Sequence, residues 1–312
     1  MTNQPNNPLA LSTAFNISKH SSWSVLLEEI ISMGFNTVEL NVEIPVNWTQ
    51  AIEKSVKSNE VRISSLHNFC PRVEPLPEGR SYFSAFLPTA DEEEERKHFI
   101  EQTKKTISFA ALLGARAVVM HFGEVKTEIT GRMVYSHVCK YGMNNDYFIR
   151  LRDNCLKDRR KNFTHYFDNL KRTINDIIPF AQSNGITVGF ENRFHINEIP
   201  NVEETGILLK EFSGSPLAFW YDTGHAEIMK RMKLMDDPLS FLKFYGENLS
   251  GMHLHDFRGV EDHYAPGTGE IDFSKLKPFI NNSTILVIEA HSKSTKSEVV
   301  NSIKYINNLL SA

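Results

Sequence analysis

Residues 249–256 read LSGMHLHD, an uncharged run that ends abruptly in His253, His255 and Asp256. An apolar stretch that becomes ionisable only at its last residues is expected of a parallel strand covered on both faces and open at its C-terminal end. Seven further runs have the same character: Leu9–Thr13, Thr37–Val42, Arg62–Leu66, Ala117–Met120, Thr187–Phe190, Leu217–Tyr221 and Ile285–Ile288. Helical stretches separate them. Ser21 and Ser22 precede WSVLLEEIISM, where Val25, Leu26, Ile30 and Met33 recur at helical spacing before Gly34. Thr89 precedes a longer helix that opens with the acidic run Asp91–Glu95, suited to the positive end of a helix dipole, and that stops at Gly114.

Strand and helix alternating eight times predict an α/β fold, the closed (β/α)₈ TIM barrel. A doubly wound open sheet is the competing topology, but no G-x-G-x-x-G follows the first strand and no GxxxxGK[ST] occurs. The expected organisation is one domain over residues 1–312, with residues 1–7 frayed. An insertion at 126–164, between strands four and five, is expected to lie over the C-terminal face of the barrel, where barrel enzymes build their sites.

The chain has 312 residues, 41% of them hydrophobic, and a formal charge of −4. That balance describes a globular protein without the global basic field that draws proteins to nucleic acid. Cys70, Cys139 and Cys155 are too few and too scattered for a disulfide framework, and Cys139 and Cys155 with His137 and His165 match no zinc-finger spacing. With no signal-peptide pattern and no membrane-length apolar run, a reducing cytoplasmic setting is expected. A homodimer is the default assembly.

The chemistry lies in what ends each strand. Run three ends at His67, run four at His121, run five at Glu191 and Asn192, and run six at Asp222 followed by His225. Run seven ends at His253, His255 and Asp256, run eight at Glu289, and run two adds Glu39 and Glu43. In a parallel barrel these ends meet at one mouth, and burying so many ionisable groups there without a counter-charge is costly. A divalent cation resolves the conflict. Imidazole and carboxylate donors without cysteine suit Zn²⁺ or Mn²⁺ first, with Fe²⁺, Co²⁺ and Mg²⁺ left open, and suit Ca²⁺ less.

The order Glu191, Asp222-x-x-His225, His253-Leu-His255-Asp256, Glu261-Asp262-His263 before PGTGEIDF, and Glu289 resembles the xylose-isomerase-like TIM-barrel superfamily. That group holds sugar and sugar-phosphate isomerases and epimerases and the endonuclease IV-type AP endonucleases, AP endonuclease family 2. The resemblance implies a metal site of Glu191, Asp222, His253 and Glu289. It further implies a second metal at His67 and His121 beside Glu191, and a third at His225, Glu261 and His263, with Glu261 where the endonucleases carry Asp. For an isomerase or epimerase it implies Glu191 and Glu289 as the bases and His225 as the group that orients or protonates a substrate oxygen.

His255, Arg258 and Asn192 are expected to touch a sugar-like substrate, and Phe194 and Trp220 either stack on it or pack in the core. The competing function is multinuclear phosphodiester cleavage. Its only candidate DNA surface is the basic run Arg150, Arg152, Lys157, Arg159, Arg160 and Lys161, interrupted by Asp153 and Asp158 and equally readable as a solvated helix face. A scaffold that has lost its chemistry would lack one of the four core ligands, and none is missing.

Overall fold

Strands built of Val, Ile, Leu and Phe need cover on both faces, which a closed parallel sheet wrapped by helices provides. The structure is a computed structural model and describes residues 8–311, so the expectation of a frayed segment at 1–7 lies outside the described residues. The barrel strands are β1 (Ala10–Ser12), β2 (Thr37–Leu40), β3 (Arg62–His67), β4 (Ala117–Met120), β5 (Thr187–Glu191), β6 (Leu217–Asp222), β7 (Leu249–Leu254) and β10 (Ile285–Ile288). They close in chain order, β10 pairing with β1, and all ladders are parallel. The expected TIM barrel is therefore present. A short antiparallel hairpin of β8 (Asp256–Arg258) and β9 (Glu261–Tyr264) intervenes before the last barrel strand.

Outside the sheet lie α1 (Trp23–Ser32), α2 (Thr49–Lys57), α3 (Glu93–Leu112), α4 (Gly131–Tyr141), α5 (Asp146–Ser183), α6 (Val202–Glu211), α7 (Thr223–Arg231), α8 (Ser240–Tyr245) and α9 (Lys296–Ser311). Helix α1 buries Leu26 and Ile30, as its spacing predicts, but turns Val25 to solvent. Helix α3 starts at Glu93 rather than after Thr89, whose hydroxyl instead donates to the carbonyl of Glu124 at 2.8 Å. Gly114, at φ +68, follows its end.

Two units depart from simple strand–helix alternation. The 126–164 stretch is mostly helical: α4, capped by Thr130, and the first half of α5, capped by Asn145, each cap accepting the backbone N–H three residues ahead. Helix α5 then runs on, 38 residues in all, to become the barrel helix before β5. The seventh unit has no α-helix before β10; the β8–β9 hairpin and a 3-10 turn at Phe273–Phe279 replace it.

Inside the barrel, Ala10, Ala117, Val119, Ile285 and Val287 pack around Trp220. The indole lies across Gly189 of β5 and Gly251 of β7, where a Cβ would come within 2.9 and 2.4 Å of the ring. Those glycines create its space. Trp220 is fully buried beneath His253, ring centroids 5.3 Å apart, so it forms the floor of the mouth and has no face for a substrate. Among the described residues, no helix is long and apolar enough to cross a membrane.

Candidate metal centre

Register sets Asp222 beside His253 and Glu191 beside Trp220, two residues before Asp222 on the neighbouring strand. The His253 ring stands at the centre. Its Nδ1 lies 2.9 Å from Glu191 Oε1, 3.2 Å from Glu289 Oε2 and 3.8 Å from Asp222 Oδ2. Its Nε2 lies 3.1 Å from Glu39 Oε1, and Glu39 in turn accepts the Ser65 hydroxyl at 2.7 Å. An Nε2–H donated to Glu39 leaves the Nδ1 lone pair facing the carboxylates, the arrangement that orients a metal-binding imidazole. Glu191, Asp222, His253 and Glu289 are all buried and offer ligand atoms within 4.8 Å of one another.

Two further groups flank this one. His121 Nε2 lies 2.9 Å from Glu191 Oε2, and His67 Nε2 lies 4.0 Å from the same oxygen. On the other side, Asp222, His225, His255 and His263 also place ligand atoms within 4.8 Å, as do His263, Glu289 and His291.

The electrostatics suit a cation. Burial works to raise the pKa of Glu191, but Arg193, His121, His253 and His225 outweigh it and hold the carboxylate well below the usual range. Glu289 is likewise held low, by His253 and His263 against burial. Burial and the neighbouring His121 push His67 down to about 3, and burial with Arg193 pushes His225 down. Ionised carboxylates and neutral imidazoles are the protonation states that metal ligation needs. Burial disfavours a charge on His253 and His263, yet Glu289 and Glu39 raise the first well above its usual value, and Asp262 and Glu289 raise the second to about 10. Protons are thus drawn to the place a divalent cation would neutralise, and the donor set fits such an ion.

Several expected site residues have other roles. Glu261 is exposed and accepts the Tyr264 hydroxyl at 2.8 Å, so it is not a ligand of the cluster. Its neighbour Asp262 turns inward instead, 3.0 Å from His263 Nδ1 and 3.6 Å from His225 Nε2. Arg258 points away from the mouth: its guanidinium covers the Tyr264 ring and donates to the Thr268 carbonyl at 2.9 Å. Asn192 does not reach for substrate, since its amide bonds both the N–H and the carbonyl of Asp222 and ties β5 to β6. His255 is fully buried, accepting the His263 N–H at Nδ1 and meeting Asp222 Oδ2 at 2.8 Å through Nε2.

The PGTGE loop is built around Asp256, whose carboxylate accepts the N–H groups of Phe257, Gly267, Gly269 and Ile271 at 2.8–3.0 Å. A Cβ at Gly269 would sit 2.3 Å from the Phe257 carbonyl, so only glycine lets the loop close this tightly. That closure holds His263, at φ +59, against His291, with ring centroids 3.8 Å apart.

Arg193 escaped the sequence reading. It follows Glu191 by two residues but lies in a loop, with no spacing to mark it. Its guanidinium lies 3.2 Å from Glu191 Oε2 and 3.3 Å from Glu198 Oε1. Phe194, expected as a substrate-stacking or core residue, is buried against Tyr135 and His225. The basic run is thinner than it reads: Arg159 is buried in a fork with Glu204, and Arg152 pairs with Asp153. His137 and His165 find partners in Asn145 and Asp91.

The family model for the xylose isomerase-like TIM barrel matches residues 27–309. An uncharacterized protein of Methanocaldococcus jannaschii is 24% identical over 281 residues, covering 83% of this chain and 81% of the relative. Among solved structures, a D-tagatose 3-epimerase-like protein superposes with a TM-score of 0.68 at 20% identity, covering 97% of both chains. The 3-keto-D-glucoside 4-epimerase of E. coli superposes at 0.67 and 14% identity, covering 97% of this chain and 99% of that one. Sugar epimerases are thus among its structural neighbours, and the chain belongs to the xylose isomerase-like TIM barrel family.

Proposed function

We propose that the protein is a divalent-metal-dependent isomerase or epimerase of a sugar, sugar phosphate or related polyol. The observation that carries this reading is the buried group Glu191, Asp222, His253 and Glu289 at the barrel mouth. A divalent cation there, Zn²⁺ or Mn²⁺ before Mg²⁺, Fe²⁺ or Co²⁺, would supply Lewis-acid polarisation of a carbonyl. Glu191 and Glu289 reach the mouth from β5 and from the end of β10, with β6 and β7 between them. One, as the carboxylate, would take the proton from the carbon beside the carbonyl, and the other, after taking up a proton from solvent, would give it back from its own side. His225, kept neutral, exchanges a proton with a substrate oxygen, and Arg193 holds Glu191 ionised.

The flanking His67–His121–Glu191 and Asp222–His225–His263 groups favour a second reading, phosphoester hydrolysis by several metals of the endonuclease IV type. The two readings separate on the full-length chain loaded with Mn²⁺ or Zn²⁺. Interconversion of free or phosphorylated ketoses, abolished by Glu289→Gln, supports the first. Cleavage of abasic-site DNA without any sugar interconversion contradicts it.

A further inference from the structure

Beside the metal cluster, the 79–88 loop, the chain beyond β4 and β5 and the start of α4 enclose a cavity of about 220 Å³. His121 and Arg193 line it as well as the cluster, so the two spaces are continuous. At ~30 Å³ per water-sized group the cavity holds about seven such groups, the size of a short polyol tail.

Its charge is balanced. Arg80, Arg132 and Arg193 line it, but Arg80 is forked to Glu95 at 2.8 and 2.9 Å and Arg193 is committed to Glu191 and Glu198. Arg132 alone makes no hydrogen bond or ion pair among the described residues, and its charge acts on Glu124, which also lines the cavity. Burial and the nearby Glu198 push the Glu124 pKa up, so a further negative charge there is unwelcome. Asn68 is buried in the wall, and its Oδ1 has no hydrogen-bond partner. Phe83, 40% exposed, stacks on His121 with ring centroids 6.0 Å apart and offers an apolar face.

A phosphate only accepts hydrogen bonds from protein donors and would meet Glu124, Glu198 and an unpaired carbonyl oxygen with no spare cation but Arg132. A hydroxyl donates to Asn68 and Glu124 and accepts from Arg132, while the C–H face of the same carbon chain covers Phe83. We infer that this cavity is the subsite for the uncharged, hydroxyl-bearing end of the substrate, and that it selects free sugars over their terminal phosphate esters. The inference rests on the sugar isomerase or epimerase reading above and narrows its substrate class.

The test is calorimetric binding to the metal-loaded full-length chain of the free ketoses D-fructose and D-tagatose, each against its 6-phosphate. The free sugars should bind about tenfold or more tightly than the esters, because juxtaposed like charges cost at least that much. Glu124→Gln, close in shape, should narrow the ratio, and Arg132→Glu at the exposed rim should widen it. Esters that bind as tightly as the free sugars, ratios unmoved by both variants, or no binding of either free ketose would overturn the subsite. Binding in the expected order without any interconversion would leave the subsite standing and overturn the catalytic reading instead.

Discussion

Asp262 Oδ2 lies 3.6 Å from His225 Nε2 and Asp262 Oδ1 lies 3.0 Å from His263 Nδ1, while Glu261, one residue earlier, faces solvent. Of the two adjacent carboxylates of β9, Asp262 is therefore the one that meets the histidines of the cluster. Asp262→Asn should lower the affinity or number of bound metal ions, and Glu261→Gln should leave both unchanged. Metal content after dialysis checks this, and equal loss in the two variants would contradict the assignment.

His263 gives a pH dependence with a definite sign. Its pKa is raised from 6.5 to about 10 by Asp262 and Glu289 against burial, so in metal-free protein its stabilising contribution is full below 6.5 and lost as pH rises through about 10. Metal loading must expel protons from His263 and His253, and affinity should fall as pH falls. Titrations in buffers of different ionisation enthalpy should show proton release at neutral pH, and a chelated sample should melt lower near pH 10 than near pH 7. A titration with no proton release would contradict the picture.

Arg159 and Glu204 are buried and joined at 2.6 and 2.7 Å, and Glu204 also closes a capping box with Asn201. Removing one partner of such a pair strands a buried charge. Glu204→Ala should cost about 3–5 kcal/mol in urea unfolding, and replacing both residues by Met should recover much of that loss. A loss under about 1 kcal/mol, the range of an exposed pair, would contradict a buried, mutually dependent pair.

Gly251→Ala should destabilise the barrel by about 1–3 kcal/mol through overpacking, because its Cβ would press on Trp220 under His253. Gly259→Ala is the contrasting control. Its Cβ meets nothing within 4 Å, and its cost comes only from its φ of +65. A larger loss at Gly259 than at Gly251 would argue against the Trp220 floor.

The barrel was legible because a strand buried on both faces writes itself as an unbroken apolar run, and the expected runs match the strands within one or two residues. Glu191, Asp222, His253 and Glu289 were legible for the same reason, each ending or directly following such a run. Glu261 was carried over from the family pattern, which does not show that this stretch is an antiparallel hairpin with Glu261 turned to solvent and His263 at positive φ. Arg193 and Glu198 lie in the loop after β5, where no periodicity marks which side chain turns inward. The polar stretch 126–164 reads equally as a loop or a helical excursion, and the helices found there start at the caps Thr130 and Asn145.

The central claim is proton abstraction beside a carbonyl by a carboxylate of the buried cluster. Its most direct test is deuterium uptake from D₂O into the carbon-bound position of free ketoses, followed by NMR with the Mn²⁺-loaded chain. The account predicts uptake by the native protein and its loss in both Glu191→Gln and Glu289→Gln. Uptake that persists in both variants, or no uptake from any ketose or ketose phosphate, would contradict it.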